Sequence, residues 1–336
     1  MRIGFVYDLR DDYRRLGFSE EEVAEFDTIE TVQEIALALA RAGGRTDEIG
    51  NGRALAERLV RGERWDLVFS IAEGVRGRAR EAQVPALCEL FDQPYAFSDP
   101  LTMGATLDKA VAKRLARDQG IATARFQVFE TPDDVRRLRL AYPVFVKPIA
   151  EGTGKGCSNA SRASSIRELR TATADLVARF RQPVIVEPYL PGREFTVGIV
   201  GNGSSAEVIG VMEIVLEAGA EDGVYSLRNK EECETLVSYR LATDDEAMKA
   251  AERALAAYRA LGCRDVGRLD FRSDATGEPQ FLEANPLAGL HPSHSDLPIV
   301  TTLSGRSYDW LIESILDAAL ARYGRQRREA SRSEAA

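Results

Sequence analysis

Three oxygen-bearing side chains near the C-terminus are spaced so that they could hold a divalent cation. Strand-forming residues around Asp270 and before Asn285 flank the turn-forming segment 273–279, which predicts a β-hairpin. Residues two apart on a strand face the same side, so we expect Asp270, Glu283 and Asn285 to share a face. Two carboxylates and an amide oxygen are the hard ligands that Mg²⁺ prefers. The alternative is an ordinary acidic hairpin whose carboxylates face water.

A glycine-rich loop with lysines near it could bind phosphate groups. Lys147 ends an apolar strand and the segment Gly152–Gly156 follows it, while Lys109 begins a helix earlier in the chain. Glycines let backbone N–H groups approach phosphate oxygens, and lysines supply positive charge. The loop lacks the spacing of a Walker motif, so a flexible surface turn is the alternative.

Two carboxylates lie at the ends of neighbouring strands after this loop. Glu187 ends the apolar run that starts at Val184, and Glu194 begins the next strand. The connector between them has a free backbone edge that could hydrogen-bond to an adenine, and Glu194 could accept from ribose hydroxyls. Alternatively, both carboxylates are solvated strand ends.

The composition argues against several classes of protein. The 336 residues can form two or three lobes with a sizeable core. A net charge of -9 argues against a general nucleic-acid binder, which needs a basic face. The sequence shows no signal-peptide pattern, no apolar run long enough to span a bilayer and no metal-type cysteine spacing. We therefore expect a soluble cytoplasmic protein, with no membrane and no nucleic acid among its partners.

The order of predicted strands and helices indicates an α/β fold. Residues 2–7 and 66–71 are predicted strands with a helix at 28–42 between them, which is a parallel α/β pattern. Ligands in such folds lie at the carboxyl ends of strands, so the loop after Ile71 is a candidate site. We divide the chain into an N-terminal α/β lobe (1–97), a central lobe (98–183), a C-terminal lobe (184–321) and a disordered tail (322–336).

Seven short motifs, in this order, resemble those of the ATP-grasp carboxylate–amine ligases and most closely the D-alanine–D-alanine ligases. The motifs are Leu-Asp-Lys109, Phe-Val-Lys147-Pro, the glycine loop, Val-Glu187-Pro-Tyr-Leu, Gly-Arg-Glu194-Phe-Thr-Val, Gly-Arg268-Leu-Asp270-Phe and Leu-Glu283-Ala-Asn285-Pro. Each is short, but their order is specific. The resemblance extends from about residue 1 to 318, nearly the whole chain.

This resemblance implies an α/β three-lobe ATP-grasp fold. A parallel α/β lobe comes first, then a small central α+β lobe, then a lobe with a mainly antiparallel sheet, and ATP lies between the last two. It also implies two chemical steps. A substrate carboxylate attacks the γ-phosphate to give an acylphosphate, and an amine then displaces phosphate to form an amide. The cofactors are ATP and Mg²⁺, with Mn²⁺ as a substitute, and the resemblance also suggests a homodimer.

The resemblance assigns roles to individual residues. The ATP contacts would be Lys109, Lys147, Glu151, Gly152, Thr153, Gly154, Gly156, Glu187, Tyr189, Leu190 and Glu194. Asp270, Glu283 and Asn285 would hold magnesium. Arg268, assisted by the backbone at Gly289, would stabilise the oxyanion of the tetrahedral intermediate. Lys230 would reach the γ-phosphate.

Positions that would face the substrates depart from the family pattern. The family's N-terminal loop carries a glutamate that binds a substrate ammonium. Here the region holds Glu25 and Asp27, and which of them acts is left open. Both could instead favour the start of the following helix. Glu73 replaces a histidine of the family's first-lobe loop.

Three arginines follow Glu73 on that loop, namely Arg76, Arg78 and Arg80. Arginine binds a carboxylate through two parallel hydrogen bonds. We therefore expect one substrate to carry an extra carboxylate, with Arg80 among its contacts. The alternative is a solvated, charged helix start.

Two more regions bear on the substrates. Tyr225 is retained as a substrate contact, while Glu231 stands where the family has a tyrosine. His291, His294 and Ser295 lie where the family binds its second substrate. The histidines could contact that substrate or take a proton from the attacking amine. A structural role is the alternative.

We interpret the chain as an ATP-dependent ligase that joins a carboxylate to an amine, both small molecules. The altered positions favour a specialised amino-acid or peptide ligase over D-Ala-D-Ala synthesis. One alternative is an ATP-grasp kinase that phosphorylates its substrate and stops. Another is a nucleotide-binding regulatory protein without turnover, although retention of Arg268 argues against it.

Overall fold

A parallel sheet organises the N-terminal part of the chain. A computed structural model describes residues 1–221 and 223–334, with side chains through Gly324. The first elements are β1 (Arg2–Val6), α1 (Arg10–Arg15), α2 (Glu20–Val23), α3 (Ile29–Arg41), β2 (Arg45–Gly50), α4 (Gly52–Val60), β3 (Leu67–Ser70) and α5 (Gln83–Leu90). The strand order is β2-β1-β3, and both pairings are parallel, as the sequence predicted.

Helix α3 shows how the sequence forms this layer. The Thr28 hydroxyl accepts a hydrogen bond from the backbone N–H of Thr31 and caps the helix. Val32, Ile35 and Leu39 follow at helical spacing and are fully buried against the apolar residues of β1. The polar face is left to solvent, so the helix covers one side of the sheet.

A second, antiparallel sheet follows. Its part of the chain contains α6 (Pro100–Leu107), α7 (Lys109–Asp118), β4 (Gln127–Phe129), β5 (Val144–Pro148), β6 (Arg162–Ala163), α8 (Ile166–Phe180) and β7 (Val184–Pro188). The strand order is β4-β7-β5-β6. Because β7 pairs with β4 and β5, the predicted lobe boundary between residues 183 and 184 cuts this sheet and is wrong by at least one strand. The boundary after residue 97 stays a prediction.

A five-stranded antiparallel sheet dominates the rest. The elements are β8 (Glu194–Val200), β9 (Glu207–Leu216), α9 (Leu227–Glu231), α10 (Cys233–Leu236), β10 (Val237–Leu241), α11 (Asp245–Ala260), β11 (Val266–Ser273), β12 (Pro279–Asn285), α12 (Asp296–Leu303) and α13 (Tyr308–Glu334). The order is β10-β9-β8-β11-β12. The hairpin of β11 and β12 is the one predicted from sequence, with Asp270 opposite Glu283 and Arg268 opposite Asn285.

The last helix contradicts one prediction. The tail from residue 322 was expected to be disordered, but α13 continues to Glu334. Arg322 forms an ion pair with the buried Asp265, and the Tyr323 hydroxyl accepts from the backbone N–H of Tyr95. Asp265 immediately precedes β11 and Tyr95 bridges to β3, so these contacts tie residues 322 and 323 to two sheets, which sequence composition could not reveal. Ala335 and Ala336 lie outside the described residues. No helix in the described part of the chain has both the length and the apolarity to cross a membrane.

Candidate active site

A cleft of about 920 Å³ lies between the four-stranded and five-stranded sheets. This figure includes space that is open to solvent, and clefts between lobes are common binding places for small molecules. The predicted residues that line it are Lys109, Lys147, Glu151, Gly154, Glu187, Tyr189, Leu190, Glu194, Tyr225, Lys230, Asp270 and Glu283. Residues distant in sequence, mostly predicted to contact ATP or metal, therefore meet in one space, which we call the nucleotide cleft.

The floor of the nucleotide cleft is charged. Glu187 is buried and lies 2.5 Å from Lys113 Nζ and 3.7 Å from Lys147 Nζ, so the alternative of a solvated strand end is wrong. Burial acts to lower the pKa of Lys147, but the charges of Glu187 and Glu283 outweigh it and raise the pKa. Lys147 is therefore a fixed cation. Lys113 was missed from the sequence, although it lies one helical turn after Lys109.

The opposite wall carries an arginine that sequence reasoning also missed. Arg272 donates to Glu194 at 3.1 Å and to the carbonyl of Gly223 at 2.9 Å. It also lies over the ring of Tyr189, which Arg162 covers at 4.3 Å. The sequence does contain a signal for this arginine. Arg272 comes two residues after Asp270 on one strand, so both side chains face the same side. Glu194 is thus ion-paired, and its pKa is raised chiefly by burial.

The predicted metal ligands meet at the end of the nucleotide cleft. Asp270 accepts from Thr196 Oγ1 at 2.8 Å and from Asn285 Nδ2 at 3.1 Å, and Arg268 Nη2 lies 3.0 Å from it. Burial raises the pKa of Asp270, partly offset by Arg268. For Glu283 the surrounding cations outweigh burial and lower the pKa, and Lys109 Nζ lies 3.0 Å away.

These side chains fit a magnesium site in which phosphate oxygens supply the remaining ligands. Within the described residues, no group of three His, Cys, Asp or Glu side chains could hold a metal ion by itself. Mg²⁺ commonly takes only one or two protein carboxylates and completes its shell with water and substrate phosphates. Asp270 and Glu283, opposite each other on paired strands, supply that number, and Asn285 supplies an amide.

The glycine loop divides between two spaces. Gly154 has φ +71°, and a Cβ there would lie 2.9 Å from the backbone nitrogen of Leu227, so glycine permits close contact with α9. A Cβ on Gly156 would lie 2.7 Å from Pro148, which indicates a packing role for this glycine. Gly152 and Thr153 line a second cavity instead of the nucleotide cleft. The structure therefore places only Gly154 of these residues at the nucleotide cleft.

The second cavity contains about 1570 Å³ of empty space, part of it open to solvent, and we call it the substrate cavity. The predicted residues that line it are Glu25, Asp27, Glu73, Gly152, Thr153, Lys230, Arg268, Asn285, Gly289, His291, His294 and Ser295. Lys230 and Asp296 line both spaces, so the two adjoin at these side chains. Arg268 is 9% exposed and stands beside this junction.

Comparison with known proteins identifies the family. The family described as D-ala D-ala ligase C-terminus matches residues 115–317, which is more than half of the chain. The chain belongs to the D-alanine–D-alanine ligase family. It is accordingly an ATP-dependent carboxylate–amine ligase.

Individual relatives agree with this assignment. An uncharacterized protein of Sinorhizobium fredii is 33% identical over 270 residues, covering 76% of this chain and 75% of that protein. A D-alanine–D-alanine ligase of Bordetella petrii is 33% identical over 269 residues, covering 80% of this chain and 79% of that protein. The crystal structure of D-alanine–D-alanine ligase from Bacillus anthracis complexed with ATP has a TM-score of 0.74 at 22% identity, covering 97% of this chain and 99% of that one. The fold is therefore ATP-grasp, as predicted.

Glu25, one of the two carboxylates that could bind a substrate ammonium, is already neutralised in this ligase. Arg80 Nη2 lies 2.8 Å from the Glu25 carboxylate and Lys155 Nζ lies 3.2 Å from it, while the N–H of Gly152 donates to it. All three charged side chains are buried. Although burial acts to raise the pKa of Glu25, these cations lower it. Glu25 therefore joins the N-terminal part of the ligase to its glycine loop.

The arginine cluster does not form a carboxylate site in this ligase, and the extra substrate carboxylate stays a prediction that these arginines do not support. Arg80 is buried, with Nη1 donating to the carbonyl of Ala150 at 2.8 Å, and it lines neither space. Arg78 forms an ion pair with Asp108, and Arg76 is exposed outside both spaces. The sequence placed all three on one loop, but it could not show that their side chains point away from the cavity.

Carboxylates instead predominate on one side of the ligase's substrate cavity. Asp27, Glu73 and Glu81 line it, and within the described residues their side chains have no ion pair or hydrogen bond. Burial raises the pKa of Asp27 to about 7 and that of Glu81 to about 7. Burial, with the charges of Glu81 and Glu25, raises the pKa of Glu73 well above its usual value. Glu81 directly follows Arg80 in the sequence, but it was not predicted to be a site residue.

The two histidines are partly engaged in their own loop. His291 Nδ1 accepts from the backbone N–H groups of Ser293 and His294 at 3.3 and 3.2 Å. Burial and the neighbouring His294 lower the pKa of His291. His294 Nδ1 lies 3.8 Å from Cys233 Sγ. Ser295 Oγ accepts from the N–H of His291, so this hydroxyl closes the turn. Both histidines still border the substrate cavity.

Proposed function

We propose that this ligase activates an amino-acid carboxylate as an acylphosphate and joins it to the amine of a second substrate. The observation that carries the proposal is the junction of the two spaces. Lys230 and Asp296 line both, and Arg268 stands beside them. A carboxylate in the substrate cavity can therefore meet a phosphoryl group in the nucleotide cleft.

The first step depends on positioning and charge neutralisation, as phosphoryl transfer generally does. Lys109, Lys147 and Lys230 line the nucleotide cleft and would hold phosphate oxygens. Mg²⁺, bound by Asp270, Glu283 and Asn285, would neutralise charge on the phosphates.

The second step develops negative charge on the carbonyl oxygen. Arg268 borders the substrate cavity with a fixed guanidinium, held by Asp270 at 3.0 Å and by Asp296 at 3.4 Å. Such preorganised donors stabilise an oxyanion without reorganising during the reaction. We propose this role for Arg268, together with the backbone at Gly289. His291 Nδ1 already accepts two backbone N–H groups, so Nε2 carries the proton of the neutral ring, and we propose that His291 contacts the second substrate as a hydrogen-bond donor.

The nucleotide would lie along the remaining wall of the nucleotide cleft. The adenine fits beside Glu187, Tyr189 and Leu190, which follow one another at the end of β7. The ribose would contact Glu194, whose second oxygen is available beside Arg272. Gly152 and Thr153 would then face the reacting carboxylate more than the nucleotide. A homodimer and a cytoplasmic location remain predictions, as does the use of Mn²⁺.

The charge of the substrate cavity favours a substrate with an additional cationic group. Among the described residues, Glu73 and Glu81 have no ion-pair or hydrogen-bond partner, whereas Glu25 is already bound by two cations. A carboxylate leaves water readily only when a cation or hydrogen-bond donor compensates it. We therefore propose a basic amino acid, with its side-chain amine near Glu73 and Glu81, as one of the substrates.

An isotope experiment tests the acylphosphate. The substrate carboxylate is labelled with ¹⁸O, and the released phosphate is analysed by mass spectrometry. An acylphosphate transfers a carboxylate oxygen to the phosphate when the amine displaces it, so labelled phosphate is expected. Unlabelled phosphate would contradict this route. A phosphorylated product without free phosphate would instead indicate the kinase alternative.

A further inference from the structure

Asp296 occupies the junction of the two spaces and contacts three functional side chains. Its side chain is 5% exposed, in the first turn of α12. Oδ1 accepts from the Tyr225 hydroxyl at 2.9 Å. Oδ2 lies 3.4 Å from Arg268 Nη1 and 3.7 Å from Lys230 Nζ. One carboxylate thus binds a hydroxyl with one oxygen and two cations with the other.

Two of these partners belong to a segment that covers the junction, residues 223–236, which we call the lid. It is internally bonded, since the Asn229 amide donates to the carbonyl of Val224 at 2.7 Å and the Ser226 hydroxyl caps α9. Lys230 also lies over the Tyr225 ring at 4.5 Å. Because the lid is one bonded unit, anchoring Tyr225 and Lys230 fixes the whole segment.

The charges at the junction need a carboxylate. Arg268 and Lys230 are both cations that approach the same Oδ2, and without a negative charge between them they would repel each other. An asparagine could still accept from Tyr225 but could not neutralise the cations. Burial at this position makes the loss larger than it would be at the surface.

We propose that Asp296 is a positioning residue that latches the lid over the junction, aligning Lys230 with Arg268 and excluding water. The proposal rests on the ligase function proposed above. Water that reached the acylphosphate would return the free carboxylate and inorganic phosphate, consuming ATP without forming an amide. A latched lid therefore couples phosphate release to amide formation.

Limited proteolysis tests the latch without any turnover. The lid contains two trypsin sites, Arg228 and Lys230. We expect Asp296→Asn and Asp296→Ala to raise the rate of cleavage in the lid about fivefold or more, because the open lid becomes more populated. The matched control is Asp309→Asn, also in the first turn of a helix and paired with Arg41 at an exposed site. Its cleavage rate should equal that of the wild type.

Coupling is measured as phosphate released per amide formed. The wild type should give a ratio near one, and Asp296→Asn a ratio of about two or more. Tyr225→Phe should have a smaller effect because the two ion pairs remain. Equal cleavage rates in Asp296→Asn and Asp309→Asn, or an unchanged ratio, would overturn the proposal. If the wild type formed no amide at all, the ligase proposal would fail, and proteolysis would still decide whether Asp296 holds the lid.

Discussion

Two carboxylates on paired strands illustrate how individual residues are tuned at this site. Burial acts to raise the pKa of both Asp270 and Glu283, but the charged groups around the two carboxylates differ. At Asp270 the charge of Arg268 offsets only part of this effect, so the pKa is raised. At Glu283 the charges of Lys109, Lys147 and Arg268 together outweigh burial and lower the pKa. Glu283 is thus the more firmly ionised carboxylate, and a cation beside the pair would stabilise the ionised form of Asp270 most.

The substitution Asp270→Asn tests whether Asp270 binds a metal ion. We expect turnover to fall by about two orders of magnitude or more, because a charge that neutralises the phosphates is lost. Steady-state phosphate release at saturating ATP measures it. Asp274→Asn, in the turn of the same hairpin and outside both spaces, is the control. Similar turnover in the two variants would exclude Asp270 as a metal ligand.

The raised pKa of Asp27 predicts that the stability of the fold depends on pH. Its folded-state pKa of about 7 lies above the usual 3.8, so the folded chain binds its proton more tightly than the unfolded chain does. The residue therefore lowers stability progressively as the pH rises from about 4 to 7. Asp27→Asn should stabilise the fold by up to about 4 kcal/mol at pH 8 and hardly at all at pH 4.

Thermal unfolding at the two pH values measures this difference. Arg10 and Asp8 are the charged groups that most affect Asp27, so both should be left unchanged in the experiment. Glu30→Gln, at an exposed site in the first turn of α3, is the matched control and should show no comparable stabilisation at pH 8. An Asp27→Asn effect that is equal at both pH values would contradict the raised pKa.

At the scale of elements, local patterns were predictable and distant pairings were not. The β11–β12 hairpin followed from strand composition, a turn and the two-residue period of a strand, all of which are local. The ion cluster of Glu25, Arg80 and Lys155 joins three distant segments, and no spacing in the sequence indicates it. The same limit explains why three nearby arginines were misinterpreted as a carboxylate site.

This buried cluster connects the N-terminal part of the chain to the glycine loop. Glu25→Gln leaves Arg80 and Lys155 without their shared counter-charge, and breaking a buried pair in this way costs about 3–5 kcal/mol. We therefore expect a lower melting temperature for the protein without ligands. Glu22→Gln, at the exposed start of the same region, is the control. If Glu25 instead binds a substrate ammonium, KM would rise while the melting temperature stayed the same.

In the whole molecule, the family match and the carboxylates of the substrate cavity lie in different parts of the chain. The family match covers residues 115–317, but Glu25, Glu73 and Glu81 lie before it. Resemblance could therefore predict the reaction class, while the substrate depends on side chains brought together only by folding.

Substrate charge can be tested with matched amino acids. We expect lysine or ornithine, in the accepted enantiomer, to exceed norleucine or norvaline at least about tenfold in kcat/KM, because a charged hydrogen bond contributes about 1.5–3 kcal/mol. Glu73→Gln and Glu81→Gln should reduce this preference. Glu34→Gln, exposed on α3, should retain it. Equal use of neutral and basic amino acids would refute a cationic substrate and leave the ligase function intact.

The central claim is ATP-driven joining of a carboxylate to an amine, and product stoichiometry tests it most directly. Purified protein is incubated with ATP, Mg²⁺ and pairs of D- and L-amino acids, basic ones included, and ADP, phosphate and product masses are measured. We expect equal amounts of ADP, phosphate and a condensation product whenever both substrates are present. A phosphorylated amino acid that forms without an amine acceptor and without free phosphate would contradict it.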